Sequence, residues 1–322
     1  MRTTRIPLIA AAALLAAACS GGGAASPSAA SPTAAPSSAA PSASASVAPS
    51  TSPSATADAC AKDSLATKTA GKLTVGTDNP AFPPYYLPRD GGNTEPWDKD
   101  QGDPTTGKGF ESAIAYAVAD KLGFTADEVT WTVVPFTNAF RPGPKEFDYL
   151  INQVANTPER AQAVDLSEGY YDGNQAVIVA ETSKFATAKT ITELKDAKLG
   201  AQIGTTSLDA IENVIKPTTE ASVYDTNDAA LTALKAKQID GIVVDLPTSF
   251  YMTEVQSKGN KIIGQLGPAT GATPEHWSLV LEKDSTLTAC VDQVVTALRD
   301  AGTLIQIRDQ WLADKTIPEL QP

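Results

Sequence analysis

The sequence predicts an α/β fold arranged as two lobes with a cleft between them. Strand-like runs bounded by turn residues alternate with helical patterns from Lys72 onward, and this alternation is typical of α/β proteins. The chain has 322 residues, which is more than one ordinary domain needs and enough for two. We therefore expect a fold large enough to bury a sizeable core.

The predicted strands and helices follow one another in a regular order. Strands are expected over 73–77, 131–134, 175–180, 198–203, 241–244 and 279–282. Helices are expected over 110–122, 207–214, 229–236, 287–301 and 304–311. Gly123 caps the first helix, Gly204 ends the fourth strand and Pro217 stops the second helix.

The first 18 residues are predicted to be an export signal. Arg2 and Arg5 supply positive charge, and residues 6–18 are apolar but too short to span a bilayer comfortably. Cys19 follows where a bacterial lipoprotein is cleaved and lipidated, although Ala16 replaces the aliphatic residue that is usual three places earlier. Ordinary secretion with an incidental cysteine is the alternative.

Residues 19–59 are predicted to be a lipidated cysteine followed by a disordered tether. Between residues 20 and 57 almost every residue is Ala, Ser, Pro or Thr, and none is charged. Such a segment has too few apolar side chains to form a core. With about 40 residues, a flexible tether has a root-mean-square reach of about 35 Å. We expect it to let a folded domain search the membrane surface.

The net charge excludes some classes of partner, and the number of cysteines predicts a disulfide. A net charge of −12 and a pI of about 4.6 argue against nucleic acid or an anionic membrane surface as the partner. Once Cys19 is assigned to lipid, Cys60 and Cys290 remain. An even pair outside the cell suggests a disulfide, and two unpaired thiols are the alternative.

Residues 86–109 form a polar stretch rich in Gly, Pro and Asp that carries Trp97. A loop of this length is usually functional or disordered. The sequence leaves two interpretations open, a loop over the mouth of the cleft or a plain surface insertion.

Several motifs occur in one order along residues 71–313, each weak alone. They are VGTD (75–78), FPPY (82–85), GKGFE (107–111), TPER (157–160), VDLS (164–167), YY (170–171), GTT (204–206), IDGIVVD (239–245) and AGTL (301–304) with WL (311–312). Together they resemble the polar amino-acid-binding proteins of ABC transporters, the family 3 extracellular solute-binding proteins.

The resemblance implies a periplasmic-binding-protein-like fold of type II, with the ligand in a cleft between two lobes. The first lobe would comprise residues 60–172 and 276–322, and the second would comprise 173–275. Two hinge strands, near 172–175 and 273–277, would join the lobes. A Cys60–Cys290 disulfide would then link both ends of the first lobe.

The resemblance also suggests how an amino acid would be held. Arg160, in the TPER motif, corresponds to the arginine that binds the ligand carboxylate, and its planar guanidinium suits two oxygens. Asp245 corresponds to the aspartate that binds the ammonium. Gly204 and Thr205 would offer amide groups and a hydroxyl to the carboxylate. The alternatives are a structural arginine, a helix cap and an ordinary strand-to-helix turn.

Phe82 and Phe136 correspond to the two aromatic residues that sandwich the ligand in relatives, with a core role as the alternative. One stretch departs from the family. Where relatives carry a glycine-rich run ending in a serine or threonine, this chain has INQVAN over 151–156, so that Ala155 replaces the hydroxyl. We expect Gln153 or Asn156 to compensate or to recognise a different side chain.

The resemblance favours a non-catalytic binding protein that works as a monomer with a membrane permease and without a cofactor or metal. A secreted enzyme is the rival, since dehydratases and wall-cleaving enzymes share this fold. The only histidine, His276, lies at the second expected hinge, and the sequence has no spacing typical of a nucleophilic triad or metal site. A ligand-sensing module is the third hypothesis; neighbouring permease or sensor genes would discriminate.

Overall fold

The computed structural model describes residues 59–312 and 315–322. The predicted export signal, Cys19 and all of the tether except residue 59 lie outside these residues. Within them, no helix is long and apolar enough to cross a membrane.

Ten strands and eight α-helices form the described part of the chain, which confirms the predicted α/β class. The strands are β1 (Leu73–Thr77), β2 (Val129–Val133), β3 (Tyr149–Leu150), β4 (Asp165–Gly173), β5 (Gln175–Ala180), β6 (Leu199–Gln202), β7 (Ser222–Tyr224), β8 (Gly241–Asp245), β9 (Asn260–Leu266) and β10 (Glu275–Leu281). The α-helices are α1 (Phe110–Lys121), α2 (Phe136–Ala139), α3 (Pro158–Ala163), α4 (Thr206–Ala210), α5 (Asn227–Lys235), α6 (Leu246–Tyr251), α7 (Thr288–Asp300) and α8 (Thr303–Trp311).

Short helical turns complete the secondary structure. Two π-helical turns, Ile211–Ile215 and Met252–Gln256, continue α4 and α6. Five 3₁₀ turns are formed by Lys62–Ser64, Pro104–Thr106, Ala126–Glu128, Thr192–Leu194 and Pro268–Thr270.

The first sheet has the strand order β2-β1-β3-β10-β4, and it defines the first lobe. β1 runs parallel to β2 and β3, whereas β10 is antiparallel to β3 and β4. Val75 pairs with Trp131 on one side and Tyr149 on the other. One face is covered by α1, α7 and α8, whose apolar side chains join those of the sheet in the largest core. Apolar runs such as β1 fold this way because both of their faces are buried.

The second sheet has the order β7-β6-β8-β5-β9, and it defines the second lobe. β6 is parallel to β7 and β8, and β5 is antiparallel to β8 and β9. Apolar side chains on its two faces form two separate cores. Because β5 and β8 are central and almost wholly buried, their sequences are near-continuous apolar runs.

Two connections carry the chain between the sheets. β4 leads through Asn174 into β5, and residues 267–274 lead from β9 into β10. The first connection falls within the expected hinge near 172–175, and the second overlaps the start of the expected hinge near 273–277. A hinge motion about them stays a prediction, as do the lobe boundaries derived from the resemblance.

The C-terminal tail lies on the second sheet, whereas the predicted lobe boundaries assigned all of 276–322 to the first lobe. The backbone N–H of Leu320 donates to the carbonyl of Gln265 in β9 at 2.9 Å, and the N–H of Gln265 donates to the carbonyl of Pro318 at 3.0 Å. Leu320 is buried in a second-lobe core. Gly264 makes room for it, because a Cβ there would lie 2.7 Å from Leu320 Cγ.

Cys60 and Cys290 form the predicted disulfide, with a sulfur–sulfur distance of 2.03 Å. Cys290 lies on α7, and Cys60 packs against the first-lobe core. The disulfide therefore ties the first residues of the described fold to α7, a helix in the C-terminal part of the chain.

The 86–109 loop is folded around a buried carboxylate. Asp103 accepts hydrogen bonds from Arg89 Nε at 3.0 Å, Thr94 Oγ1 at 3.1 Å and the N–H of Thr105 at 2.9 Å, and Asp103 has no solvent exposure. Trp97 is buried in the first-lobe core. Trp97 and Asp103 therefore anchor the loop to the first lobe, while most of residues 88–100 are exposed; its relation to the mouth of the cleft stays a prediction.

Candidate functional site

A small cavity lies between the two lobes at the ends of the connecting strands, with a volume of about 70 Å³. Side chains from both sheets line it. They are Asp78, Pro80, Phe82, Phe136, Asn152, Gln153, Arg160, Gln175, Gln202, Thr205, Thr206, Ser207, Asn227, Asp245, Glu275 and Trp277. The lining thus brings together six of the eight ligand-binding residues predicted from the sequence; Ala155 and Gly204 lie beside it.

Arg160 reaches the cavity from α3. Thr157 caps this helix by accepting a hydrogen bond from the Arg160 N–H, and Pro158 suits its first turn. The guanidinium is buried; Nη1 donates to the Ala155 carbonyl at 2.7 Å, and Nη2 donates to the Gly204 carbonyl in the second lobe at 2.9 Å. Burial lowers the pKa of Arg160 from its ordinary value, but an arginine guanidinium is not deprotonated in proteins and stays cationic.

Asp245 ends β8 and caps α6, as the helix-cap alternative proposed. Its Oδ1 accepts from the Thr248 N–H at 2.8 Å and from the Tyr85 hydroxyl of the first lobe at 2.6 Å. Burial raises the pKa of Asp245, against the opposing effect of these hydrogen bonds. Both of these hydrogen bonds end on Oδ1. Helix capping is therefore compatible with ligand binding, because a carboxylate has a second oxygen.

Direct hydrogen bonds from two first-lobe side chains therefore cross the cleft, and the Tyr85 hydroxyl also contacts Thr248 Oγ1 at 3.1 Å. Tyr85 joins Asp245, and Arg160 joins Gly204. Asp245 and Arg160, which the resemblance places at the ligand site, both take part in these contacts. The lobes are in contact through the same groups that would hold a ligand.

Two further carboxylates, Asp78 and Glu275, face the cavity and were not among the predicted site residues. Asp78 follows β1 and accepts from the N–H groups of Asn79 at 2.7 Å and Phe136 at 3.0 Å. Glu275 begins β10 and accepts from Gln175 Nε2 at 2.9 Å. Burial raises the pKa of both carboxyl groups above their ordinary values.

Two phenylalanines, Phe82 and Phe136, line the cavity. Phe136 begins α2 and packs edge-on against Phe140, with ring centroids 5.4 Å apart. The guanidinium carbon of Arg160 lies 4.6 Å from the Phe140 ring centre and 5.8 Å from that of Phe136, within cation–π range. Phe82 lines the cavity and is only half-buried, which fits a surface left for a ligand. The sandwich role of Phe82 and Phe136 stays a prediction.

The Gly204–Thr205 turn contributes less than expected. Gly204 lies beside the cavity and offers its carbonyl to Arg160. The Thr205 hydroxyl donates its single proton to the Gln202 carbonyl at 2.7 Å and caps α4 by accepting from the Leu208 N–H at 3.2 Å. In this arrangement the hydroxyl has no proton to offer a carboxylate, so the expected contact is limited to backbone amides.

Residues 151–156 contain the two side chains, Gln153 and Asn156, that were expected to compensate for the missing hydroxyl. Only Gln153 lies in the cavity lining. Ala155 is buried and presents its carbonyl to Arg160. Asn156 is exposed, lies outside the cavity lining and donates to Ser278 Oγ at 3.3 Å, so it does not replace the missing hydroxyl. Gln153 does face the cavity, and its φ of 45° is unusual for a residue other than glycine.

Sequence reasoning missed a polar chain formed by Ser207, Gln175 and Glu275. The Ser207 hydroxyl donates to Gln175 Oε1 at 2.6 Å, and Gln175 Nε2 donates to Glu275. The three residues come from α4, β5 and β10, so only the tertiary fold brings them together. For Gln175 a local signal existed, since it is a polar residue that opens an apolar strand.

Over residues 73–314 the sequence matches the bacterial extracellular solute-binding proteins, family 3. The chain belongs to this family. As a solute-binding protein it has the two-lobed fold that the sequence predicted, and the relatives below are binding proteins by name.

The solute-binding protein is 29% identical to the ABC transporter arginine-binding protein 1 of Escherichia coli K12 over 212 residues, covering 63% of this chain and 81% of the relative. It is 26% identical over 253 residues to the L-cystine-binding protein TcyJ of Escherichia coli K12, covering 77% and 86%. Among solved structures, an ancestral arginine-binding protein bound to arginine superposes with a TM-score of 0.59 at 25% identity, covering 76% of this chain and 99% of that one.

The arginine-, lysine-, histidine-binding protein ArtJ of Geobacillus stearothermophilus has a TM-score of 0.60 at 22% identity, covering 77% and 97%. At this identity the superposition supports the fold alone.

Proposed function

We propose that this solute-binding protein captures an amino acid with a cationic side chain for an ABC importer. The observation that carries the proposal is the charge of the cavity. One guanidinium, from Arg160, and three carboxyl groups, from Asp78, Asp245 and Glu275, line the same small space.

These charges match a ligand with one carboxylate and two cationic groups. Arg160 is the cavity's cation, so the carboxylate binds there. The α-ammonium binds Asp245, and the side-chain cation binds Asp78 or Glu275. A neutral amino acid would leave more unpaired negative charge buried in the complex, which is costly in a closed cleft.

The names of relatives support the same class. Arginine binding is recorded for the Escherichia coli relative and for the ancestral protein described above. TcyJ is named for L-cystine, a ligand with two ammonium and two carboxylate groups. Cystine is therefore the alternative ligand, although the single guanidinium of Arg160 matches only one of its carboxylates.

We propose further that the lobes close on the ligand by a hinge at the two connections between the sheets, a motion established for periplasmic binding proteins as a class. The Tyr85–Asp245 and Arg160–Gly204 contacts support this, because a ligand held by Asp245 and Arg160 would engage the same lobe surfaces. The lobe limits follow the two connections, with the C-terminal tail assigned to the second lobe.

We also propose that the protein binds its ligand without chemically changing it. His276 is largely exposed and pairs with Asp172 at 2.6 Å outside the cavity lining. The cavity carboxylates have cation binding as their role. Mass spectrometry of ligand released after long incubation should recover it unchanged; a product of altered mass would instead support the enzyme hypothesis.

The family is extracellular, and we propose that this member is anchored to the outer face of the bacterial cell membrane through a lipid on Cys19 and acts as a monomer. The lipoprotein-like sequence before Cys19 supports the anchor. Full-length protein should fractionate with membranes, and a Cys19→Ala variant should not. Retention of the variant in the membrane fraction would contradict the anchor.

Thermal unfolding with a panel of amino acids tests the ligand class. Arginine, lysine and ornithine are expected to stabilise the protein by about 2.7 kcal/mol at 100 times Kd, which raises Tm by roughly 5–10 °C for a protein of this size. Glutamine, cystine and glutamate serve as comparisons. A larger shift with glutamine or cystine than with any cationic amino acid would refute the cationic class, and no shift with any amino acid would refute amino-acid capture.

A further inference from the structure

Gln153 combines an unusual backbone with a place in the cavity lining. It follows β3, faces the cavity and has a φ of 45°, a left-handed conformation that residues with a Cβ adopt at an energetic disadvantage. Relatives are expected to have glycine in this run, where that disadvantage does not arise. A glutamine here requires interactions that hold it, and the structure shows them.

Glu111 holds both ends of Gln153. The Glu111 Oε1 accepts from the Gln153 backbone N–H at 2.7 Å, and Oε2 accepts from the Gln153 side-chain Nε2. Glu111 is the second residue of α1, has no solvent exposure and also accepts from the Tyr170 hydroxyl. A buried carboxylate thus uses its two oxygens on the main chain and the side chain of one residue.

This arrangement fixes which end of the Gln153 amide is left for a ligand. An ionised carboxylate only accepts hydrogen bonds, so the NH₂ end must face Glu111. The carbonyl Oε1 is then free to accept. Within residues 59–312 and 315–322 it has no hydrogen-bond partner.

We propose that Gln153 is a specificity-determining residue whose Oε1 accepts a hydrogen bond from the ligand's α-ammonium, and that Glu111 is the positioning residue that keeps it in this orientation. The inference rests on the proposed function, since it assigns a second acceptor to the ammonium of an amino acid. An ammonium has three N–H donors. Asp245 supplies its charge partner, and Gln153 replaces the hydroxyl acceptor that Ala155 lacks.

The decisive experiment compares two probes that differ only in the α-ammonium. L-arginine has it, and 5-guanidinopentanoic acid lacks it. In Gln153→Met, which keeps the side-chain length without the oxygen, we expect arginine to bind about 10- to 100-fold more weakly and the analogue to change less than threefold. Gln238→Met, at an exposed glutamine, is the matched control and should leave both affinities unchanged.

The outcomes separate this inference from the proposed function. If wild-type protein binds arginine and Gln153→Met weakens both probes equally, or neither, the inference is refuted while amino-acid capture stands. If the wild-type protein prefers another amino acid, that amino acid and its deaminated analogue replace arginine and 5-guanidinopentanoic acid as the two probes. If it binds no amino acid, both proposals fail. Gln153→Gly, which suits the left-handed backbone, gives the same comparison should the methionine variant fold poorly.

Glu111 is tested by the ratio of the two affinities. Glu111→Gln should lower the preference for arginine over the analogue several-fold, and should have no further effect on that ratio in Gln153→Met, because both changes remove one interaction. If Glu111 were merely structural, Glu111→Gln would weaken the binding of both probes equally. Its effect would then add to that of Gln153→Met in the double variant.

The pH profile supplies an independent readout. A protonated Glu111 can donate and no longer dictates the amide orientation, and burial raises the pKa of Glu111 to about 7. The groups that face it are the hydroxyls of Tyr86, Tyr170 and Tyr85, whose raised pKa values keep them neutral. The preference for arginine should therefore fall between pH 8.5 and 6 in wild type and stay constant in Glu111→Gln. Equal profiles in both proteins would overturn the positioning role.

Discussion

Replacing Glu111 with glutamine should change how the stability of the protein depends on pH. Burial is the largest influence on this carboxyl and raises its pKa from 4.5 to about 7, against hydrogen bonds from Tyr170 and Gln153 that act in the opposite direction. Above pH 4.5 the unfolded chain releases the proton while the folded protein still holds it. The stability that Glu111 contributes is therefore present below pH 4.5 and is lost as the pH rises to about 7.

The size of this effect follows from the same two values. A change from 4.5 to about 7 corresponds to about 3 kcal/mol of unfolding free energy. Glu111→Gln cannot ionise, so the free energy of unfolding of the variant minus that of wild type should rise by about 3 kcal/mol between pH 4.5 and 8. The buried carboxylates of the cavity act in the same direction, but they are present in both proteins and cancel in the difference.

Urea unfolding at half-unit steps from pH 4.5 to 8.5, with the disulfide intact, measures this difference. Glu128→Gln is a control of opposite sign. The Glu128 pKa is lowered to about 2 by Lys62 and by the N–H of Thr125, so its contribution is lost only in strong acid and the control should parallel wild type in this range. Curves for Glu111→Gln and wild type that stay parallel would refute a buried, proton-holding carboxyl at this position.

Three further outcomes follow from contacts described above. Arg160→Ala and Asp245→Ala should each weaken binding of the cationic amino acid by about 3–5 kcal/mol, because each leaves a buried ligand charge unpaired; calorimetric losses below threefold for both would contradict the assigned roles. Reduction of Cys60–Cys290 should destabilise the protein by at most about 5 kcal/mol, the chain-entropy value for so long a loop, and chemical unfolding with and without reductant measures it. Leu320→Ala should destabilise it by about 2–5 kcal/mol, with no loss expected if the tail were not packed in solution.

Elements with strong local signals were predictable from the sequence. β1, β5 and β8 are apolar runs with buried faces, and α7 has its apolar side chains on one side. Their predicted limits agree with the structure to within about two residues. Local pattern suffices here because burial and periodicity coincide.

Elements that depend on distant partners were missed. β4 contains two glycines and mostly polar or aromatic residues, and its pairing with β10 is interrupted by register shifts. β9 is stabilised in part by the C-terminal tail, which pairs with Gln265. Such segments form strands because of the neighbouring strands and side chains they pack against, and the local sequence does not specify those neighbours.

The same distinction applies to the site. Arg160 and Asp245 lie in motifs, so a resemblance identified them, and the structure places both in the cavity lining. Glu275 lies between Pro274 and His276 in a segment that has no apolar pattern. Its approach to Gln175 depends on the pairing of β10 with β4, which sets Glu275 opposite Gly173, two residues before Gln175. No local signal in the sequence encodes that pairing.

The placement of the two ends of the described fold makes this protein a ready-made distance reporter. Cys60 is bonded to the first lobe, whereas Leu320 is packed into the second. Fluorophores attached at the tether side of residue 59 and just after residue 322 would therefore sit on opposite lobes. Opening of the cleft would change the separation of the two dyes, so energy transfer between them would read ligand occupancy without any label in the cavity itself.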